Sequence, residues 1–153
     1  MAYISLVRSG LEYASSIWEP QTAVLKKELE NIQNRAIRWI FDKSPRERVS
    51  VTRLRKEIPL HTLEQRRLHS RLCLFYKIVN GEVVVTSADV GLALSDDRTH
   101  THKCHEQTYR HILFKGGGCT IPRTVPAWNK LPRALVQASS TDTFKSGLEA
   151  LCP

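Results

Sequence analysis

Between Pro20 and Pro45 the chain carries Leu25, Leu29, Ile32, Ala36 and Trp39, an apolar series whose steps alternate between four and three residues. An α-helix returns side chains to one face at that spacing, so the pattern predicts a helix over 22–41 that starts after Pro20 and stops before Pro45. Lys27, Asn31, Asn34 and Arg38 repeat at the same spacing and occupy the opposite face. A fold built on this segment must therefore pack an amphipathic helix by one side.

Further helices follow from the same reasoning. Residues 3–18 place Ile4, Val7, Leu11, Ala14 and Trp18 along one row and Leu6, Tyr13 and Ile17 along a neighbouring one. Their polar strip is narrow, which predicts a largely buried helix. A short helix is expected at 51–57, capped by Ser50 and ended by Pro59. The segment 62–80 announces both ends: Thr62-Leu-Glu-Gln65 has the capping-box pattern, and Asn80-Gly81 supplies the left-handed residue that closes many helices. Leu68, Leu72, Phe75 and Val79 form its main apolar row, with Leu74 and Ile78 to one side; Arg66, Ser70 and Lys77 share the remaining face, flanked by Arg67 and Arg71. From 82 to 121 the helical period is lost, leaving loop with room for one short hairpin around 98–115. A short helix over 122–131 presents Val125, Trp128 and Leu131, and Ser139 or Ser140 caps a last helix carrying Phe144, Leu148 and Leu151. The expected fold is mainly α: a small helical bundle with a loop-rich insert that has space for one β-hairpin. Residues 1–81 form a helical region, 82–121 the insert, and 122–153 short helices packed with the first region as one domain.

A chain of 153 residues is the size of one such domain. Its net charge of +8 is local: residues 1–80 hold 15 basic and 8 acidic groups, residues 81–115 hold 4 and 5, and residues 116–153 hold 4 and 2. The basic excess makes a polyanion the first partner to consider, with an ordinary solvated surface as the alternative for both polar faces. No stretch approaches the roughly 18 apolar residues of a membrane span. The N-terminal segment lacks the basic start and cleavage site of a secretory signal, so no membrane partner and an intracellular location, nucleus or cytoplasm, are expected. Cys73, Cys104, Cys119 and Cys152 stand too far apart for a dense disulfide framework, and reduced thiols are expected.

Three segments contain chemistry-bearing residues. Leu94-Ser-Asp-Asp97 has adjacent aspartates without the flanking apolar strands that would aim them at metal ions, and reads as a polar turn. His102, Cys104, His105, His111 and Cys119 are zinc-ligand types, but their spacing is irregular where structural sites favour two close pairs. Gly116-Gly-Gly118 lacks the Lys-Ser or Lys-Thr of a phosphate-binding loop. The expectation is no catalytic residue, no metal and no cofactor.

Two separated segments carry a family resemblance. Ser5-Leu-Val-Arg-Ser-Gly-Leu-Glu-Tyr-Ala-Ser-Ser-Ile-Trp18, continuing into Leu29-Glu-Asn-Ile-Gln-Asn-Arg-Ala36, resembles the segment just after the polymerase core in reverse transcriptases of non-LTR (LINE-type) retrotransposons, arthropod and tick elements in particular. Pro122, Arg123 and Thr124, with Trp128, Asn129, Leu131, Pro132 and then Phe144-Lys145, resemble the Pro-Arg-Thr, Trp-Asn, Leu-Pro pattern near the end of those reading frames. Ser50-Val-Thr52 and Arg67 to Asn80, with Arg71-Leu-Cys-Leu-Phe-Tyr-Lys-Ile78, fall where the family has matching pieces. The chain differs at Ile121, where the family has Phe, at Pro126 and at the glycine triplet.

The resemblance implies a thumb-like and post-polymerase region whose catalytic aspartates lie upstream, in a polymerase domain of the parent polyprotein. The chain would then be a C-terminal remnant without polymerase activity of its own. A thumb lies along the template-primer duplex, which implies non-specific RNA or RNA–DNA contact through Lys27, Asn31, Asn34, Arg38, Arg66, Arg71 and Lys77, chemically suited to phosphate. The rival expectation is a helical protein-interaction module or an inert product that binds no nucleic acid and self-associates through an uncovered apolar row. A third is a small metal-dependent nuclease built on the 100–119 cluster.

Overall fold

The computed structural model describes residues 3–16, 18–20, 22–44, 47, 49–58, 60–94, 109–111 and 120–151, with residues 109–111 described by backbone alone. It is mainly helical. A π-helical segment, Tyr3–Arg8, runs into α1 (Ser9–Glu12); α2 (Ala23–Ile40), α3 (Val51–Lys56) and α4 (Leu63–Val79) follow. After β1 (Leu92–Leu94) and β2 (Tyr109–His111) come α5 (Thr120–Trp128), α6 (Arg133–Val136) and α7 (Thr141–Leu151). The chain divides into two compact units, residues 1–67 and 68–153, and the division falls inside α4.

In the first unit α2 starts where the sequence indicates, with the Thr22 hydroxyl accepting from the Leu25 amide at 3.3 Å. Its buried face is not the apolar row. Gln33 and Ile37 are fully buried, whereas Trp39 is 76 % exposed and Leu25 and Ile32 also face solvent. At 3.6 residues per turn the buried face lies about a third of a turn from the Leu25–Trp39 row. The cause is a set of long-range polar contacts. Gln33 accepts from the Tyr3 hydroxyl at 3.1 Å and donates to the His61 carbonyl at 2.9 Å. Arg55 of α3 donates to Glu30 at 2.5 Å and to Asn34 at 2.8 Å, and the other Glu30 oxygen accepts from the Leu63 amide at 3.0 Å. Turning α2 to bury its apolar row would break these bonds and leave buried polar groups without partners. Ile37, Leu54 and Leu60 form the small apolar cluster beneath them, with Ile4, Phe41 and Ile58 packed around it.

The expected helix over 3–18 ends early. Glu12 is its last helical residue, Tyr13 turns to extended backbone, and Ala14 takes a left-handed φ of 50°. Trp18 is held elsewhere: its indole N–H donates to the Tyr13 carbonyl at 2.6 Å and its ring lies 4.5 Å from the Arg67 guanidinium. The segment is also less buried than its narrow polar strip suggests, since Leu6 and Tyr13 are exposed and Tyr3 is buried. Ser50 precedes α3, but its side chain makes no capping bond there.

The α4 helix carries both expected caps. Thr62 and Gln65 bond reciprocally, side chain to backbone amide, at 3.1 Å each way. At the other end Gly81 adopts φ +70°, its amide donating to Ile78 and that of Glu82 to Lys77, the paired bonds of a left-handed C-cap.

In the second unit Leu72 and Phe75 of the expected α4 row are buried together with Tyr76 and Ile78, while Leu68 and Val79 are half-buried. Trp128 of α5 is fully buried, its ring 4.8 Å from Phe75 and 5.8 Å from Phe144 of α7; Tyr76 stacks on Phe144 at 4.5 Å. Val125, Leu131 and Leu148 close the cluster, as the spacing of 122–131 and 140–151 indicates, together with Leu135 of α6, while Leu151 is half exposed. Ser140 caps α7, its hydroxyl accepting from the Thr143 amide at 3.2 Å. The β1 and β2 strands pair antiparallel, Leu92 with His111 and Leu94 with Tyr109, so the first strand lies upstream of the expected hairpin.

Candidate nucleic-acid interface

The polar strip of α2 separates into two classes of residue. Lys27 and Asn31 are exposed. Asn34 is half-buried and holds Arg55, and Arg38 ties down the chain after α2 by donating to the carbonyls of Glu47 at 3.3 Å and Val49 at 3.0 Å. In the first turns of α4, Arg66 forms a two-point ion pair with Glu12, its Nη2 standing 2.9 Å from Oε2. Arg67 turns inward rather than flanking a solvent face: it is buried, lies over Trp18, and donates to the Leu11 carbonyl at 2.9 Å. That burial lowers its pKa, against the opposing fields of Glu19, Glu12 and Glu30.

Further along α4, in the second unit, Arg71 is buried and Lys77 half-buried. The seven residues named from the sequence therefore do not make one continuous cationic strip: two are open, four are engaged or covered, and Lys77 is intermediate.

Several cations outside that set are open among the described residues, Arg35, Lys130 and Lys145 included. Arg53 and Lys56 of α3 are exposed and enter none of the ion pairs among the described residues. The sequence holds a signal for Lys56. Leu54 is the buried residue of that short helix, and at 100° per residue Lys56 falls on its far side, while Arg53 and Arg55 stand on opposite flanks and Arg55 turns toward α2.

The Pro122-to-Pro132 pattern is structural in its placement. Thr124 is fully buried with its hydroxyl donating to the Thr120 carbonyl at 2.9 Å, Trp128 and Leu131 are core, and Pro132 precedes α6 at φ −61°, as an N-cap residue. Pro122, Arg123 and Asn129 are half-buried on the same stretch. Pro126 sits inside α5, where its ring nitrogen cannot donate to the preceding turn.

Asp96, Asp97, His102, Cys104, His105, Gly116–Gly118 and Cys119 lie outside the described residues, and of His111 only the backbone is described. Cys73 is a free, partly covered thiol whose pKa is raised by burial. No described helix is long and apolar enough to cross a membrane. The chain matches no family model, no curated protein and no solved structure.

Proposed function

We propose that this chain is a post-polymerase, thumb-like region of a LINE-type reverse transcriptase that holds RNA or an RNA–DNA duplex by its phosphates and performs no nucleotide transfer itself. One observation carries the reading: Lys27, Arg53 and Lys56, with the amide of Asn31, stand exposed and outside the ion pairs of a unit whose sequence is rich in excess positive charge. Lys and Arg neutralise phosphate and release counterions, and Asn donates to phosphate oxygen; neither contact reads bases.

The test is fluorescence anisotropy on an RNA–DNA duplex and on single-stranded RNA over a salt series. Affinity is expected to fall linearly on a log–log plot, with little dependence on sequence. Lys27→Glu should weaken binding and reduce the salt slope by about 1. Arg66→Gln should change it less, because Glu12 already neutralises that guanidinium. Absence of binding at low salt, or binding that salt does not weaken, refutes the reading. The exposed Leu25, Ile32 and Trp39 favour a second one, a helical protein-interaction module.

A further inference from the structure

The Leu25–Trp39 row of α2 has the step pattern of a helix-pairing seam, and the first unit leaves it open: Leu25 is 48 %, Ile32 40 % and Trp39 76 % exposed. Beside its N-terminal half lies a groove of about 400 Å³ whose apolar lining is Trp18, Pro20, Leu25, Leu29 and Ile32, with Glu19 and Glu28 completing it. One flank of the row carries Glu28 and Arg35, seven residues apart and opposite in sign. Both are exposed, and neither enters an ion pair among the described residues.

We propose that this face is a homodimer seam, on which α2 packs antiparallel against α2 of a second copy of the chain. An interface about a two-fold axis uses the same patch on both copies and must be complementary to itself. The antiparallel register meets that requirement twice. It sets Glu28 against the partner's Arg35, and by symmetry Arg35 against the partner's Glu28. The same register brings the partner's Trp39 level with Val24 and Leu25, at the mouth of the groove. The most exposed side chain of the row thus meets the groove beside it. A parallel arrangement does neither: Glu28 would face Gln33, which is buried and already bonded to Tyr3 and His61, and Arg35 would face Ile40. The seam is one helix wide and short, so association is reversible and concentration-dependent rather than obligate.

This rests on the protein-interaction reading and is independent of the nucleic-acid one, so it is measured without RNA. Sedimentation equilibrium of the full chain should show a monomer–dimer equilibrium. Glu28→Arg and Arg35→Glu should each weaken the dimer by about tenfold, since each replaces two attractive pairs by two repulsive ones. Mixing the two variants should restore heterodimer at wild-type strength, because both contacts are then attractive again. Trp39→Ala should weaken association more than either, with loss of the blue shift in tryptophan fluorescence on concentration. All three side chains are exposed, so folding is preserved. A chain that stays monomeric at every concentration, as it would if the row were kept for another protein or for an upstream domain, overturns the proposal. Self-association that mixing the charge variants fails to restore does so too.

Discussion

Among the described residues of 68–153 thirteen apolar side chains are buried in one cluster around Phe75, Trp128 and Phe144, whereas the corresponding cluster among those of 1–67 is Ile37, Leu54 and Leu60. The first unit fills the difference with polar contacts: Tyr3 to Gln33, Gln33 to His61, Arg55 to Glu30 and Asn34, Glu30 to the Leu63 amide. The two kinds of interior do different work. Apolar burial is non-directional and scales with area, so it supplies most of the free energy that a unit has. A hydrogen bond nets only about 0.5–1.5 kcal/mol, but leaving a buried partner unmade costs more. The polar lattice therefore chooses an orientation for α2 more than it adds stability. That choice is what leaves Leu25, Ile32 and Trp39 facing outward, free for a partner.

The largest effect is expected where the apolar core is densest. Trp128→Ala removes a fully buried ring that contacts both Phe75 and Phe144, and should cost about 3–5 kcal/mol. Residue-resolved hydrogen exchange should show the loss concentrated in α5, α7 and the second half of α4. If protection in α2 and α3 fell equally and that of α5 did not, the second unit would not be the independent core described above.

Glu30→Ala comes next and strikes the polar interior. It strips Arg55 of a charged partner and the Leu63 amide of its acceptor, at an expected cost of about 2–3 kcal/mol. The figure stays below that for a fully buried ion pair because both side chains keep some contact with water, about a fifth of their surface in each case. A loss under about 0.5 kcal/mol in urea titration would mean that the lattice contributes as little as an ordinary surface pair, and the contrast between the units would dissolve.

The same contrast decides what could be read in advance. The second unit was legible because its information is local. The Asn80–Gly81 stop, the Ser140 cap and the rows Leu72–Phe75 and Val125–Trp128–Leu131 all act within one or two helical turns, as does the Thr62–Gln65 box that starts α4 in the first unit. The rest of the first unit was not legible, because its determinants join residues far apart in the chain: Tyr3 with Gln33, Arg55 with Glu30, Arg67 with Trp18. Spacing reveals that α2 is a helix and which of its faces is apolar, but not that a glutamine and a glutamate will fix its rotation. The candidate interface shows the same division. Lys27 and Asn31 stand where the helical period puts them, while Asn34, Arg38 and Arg66 have found distant partners and Arg71 is covered. Lys56 needed only the inward orientation of Leu54 to be found, whereas Arg53 is told from Arg55 by the distant Glu30 alone.

The finest test compares two tyrosines, one in each kind of interior. The Tyr3 hydroxyl donates to the Gln33 side chain at 3.1 Å, and that of Tyr76 to the Ala138 carbonyl at 2.6 Å while its ring stacks on Phe144. Replacing either by Phe should cost about 1 kcal/mol near neutral pH, the price of one bond with its acceptor left behind. Burial raises the pKa of both phenols above the ordinary value of 10.0, because the phenolate would lose its hydration. A raised acid pKa means that folding favours the neutral form. The contribution is therefore complete below about pH 10 and declines as pH rises through the folded-state value, because the unfolded chain ionises first. The Phe variants cannot ionise, so the gap between wild type and each variant should narrow on going above pH 10. A gap that stays constant to higher pH would show that the phenol in question is solvated in the folded chain. For Tyr3 that outcome would remove Gln33 from a dry polar lattice, and with it the reason that α2 turns its apolar row outward.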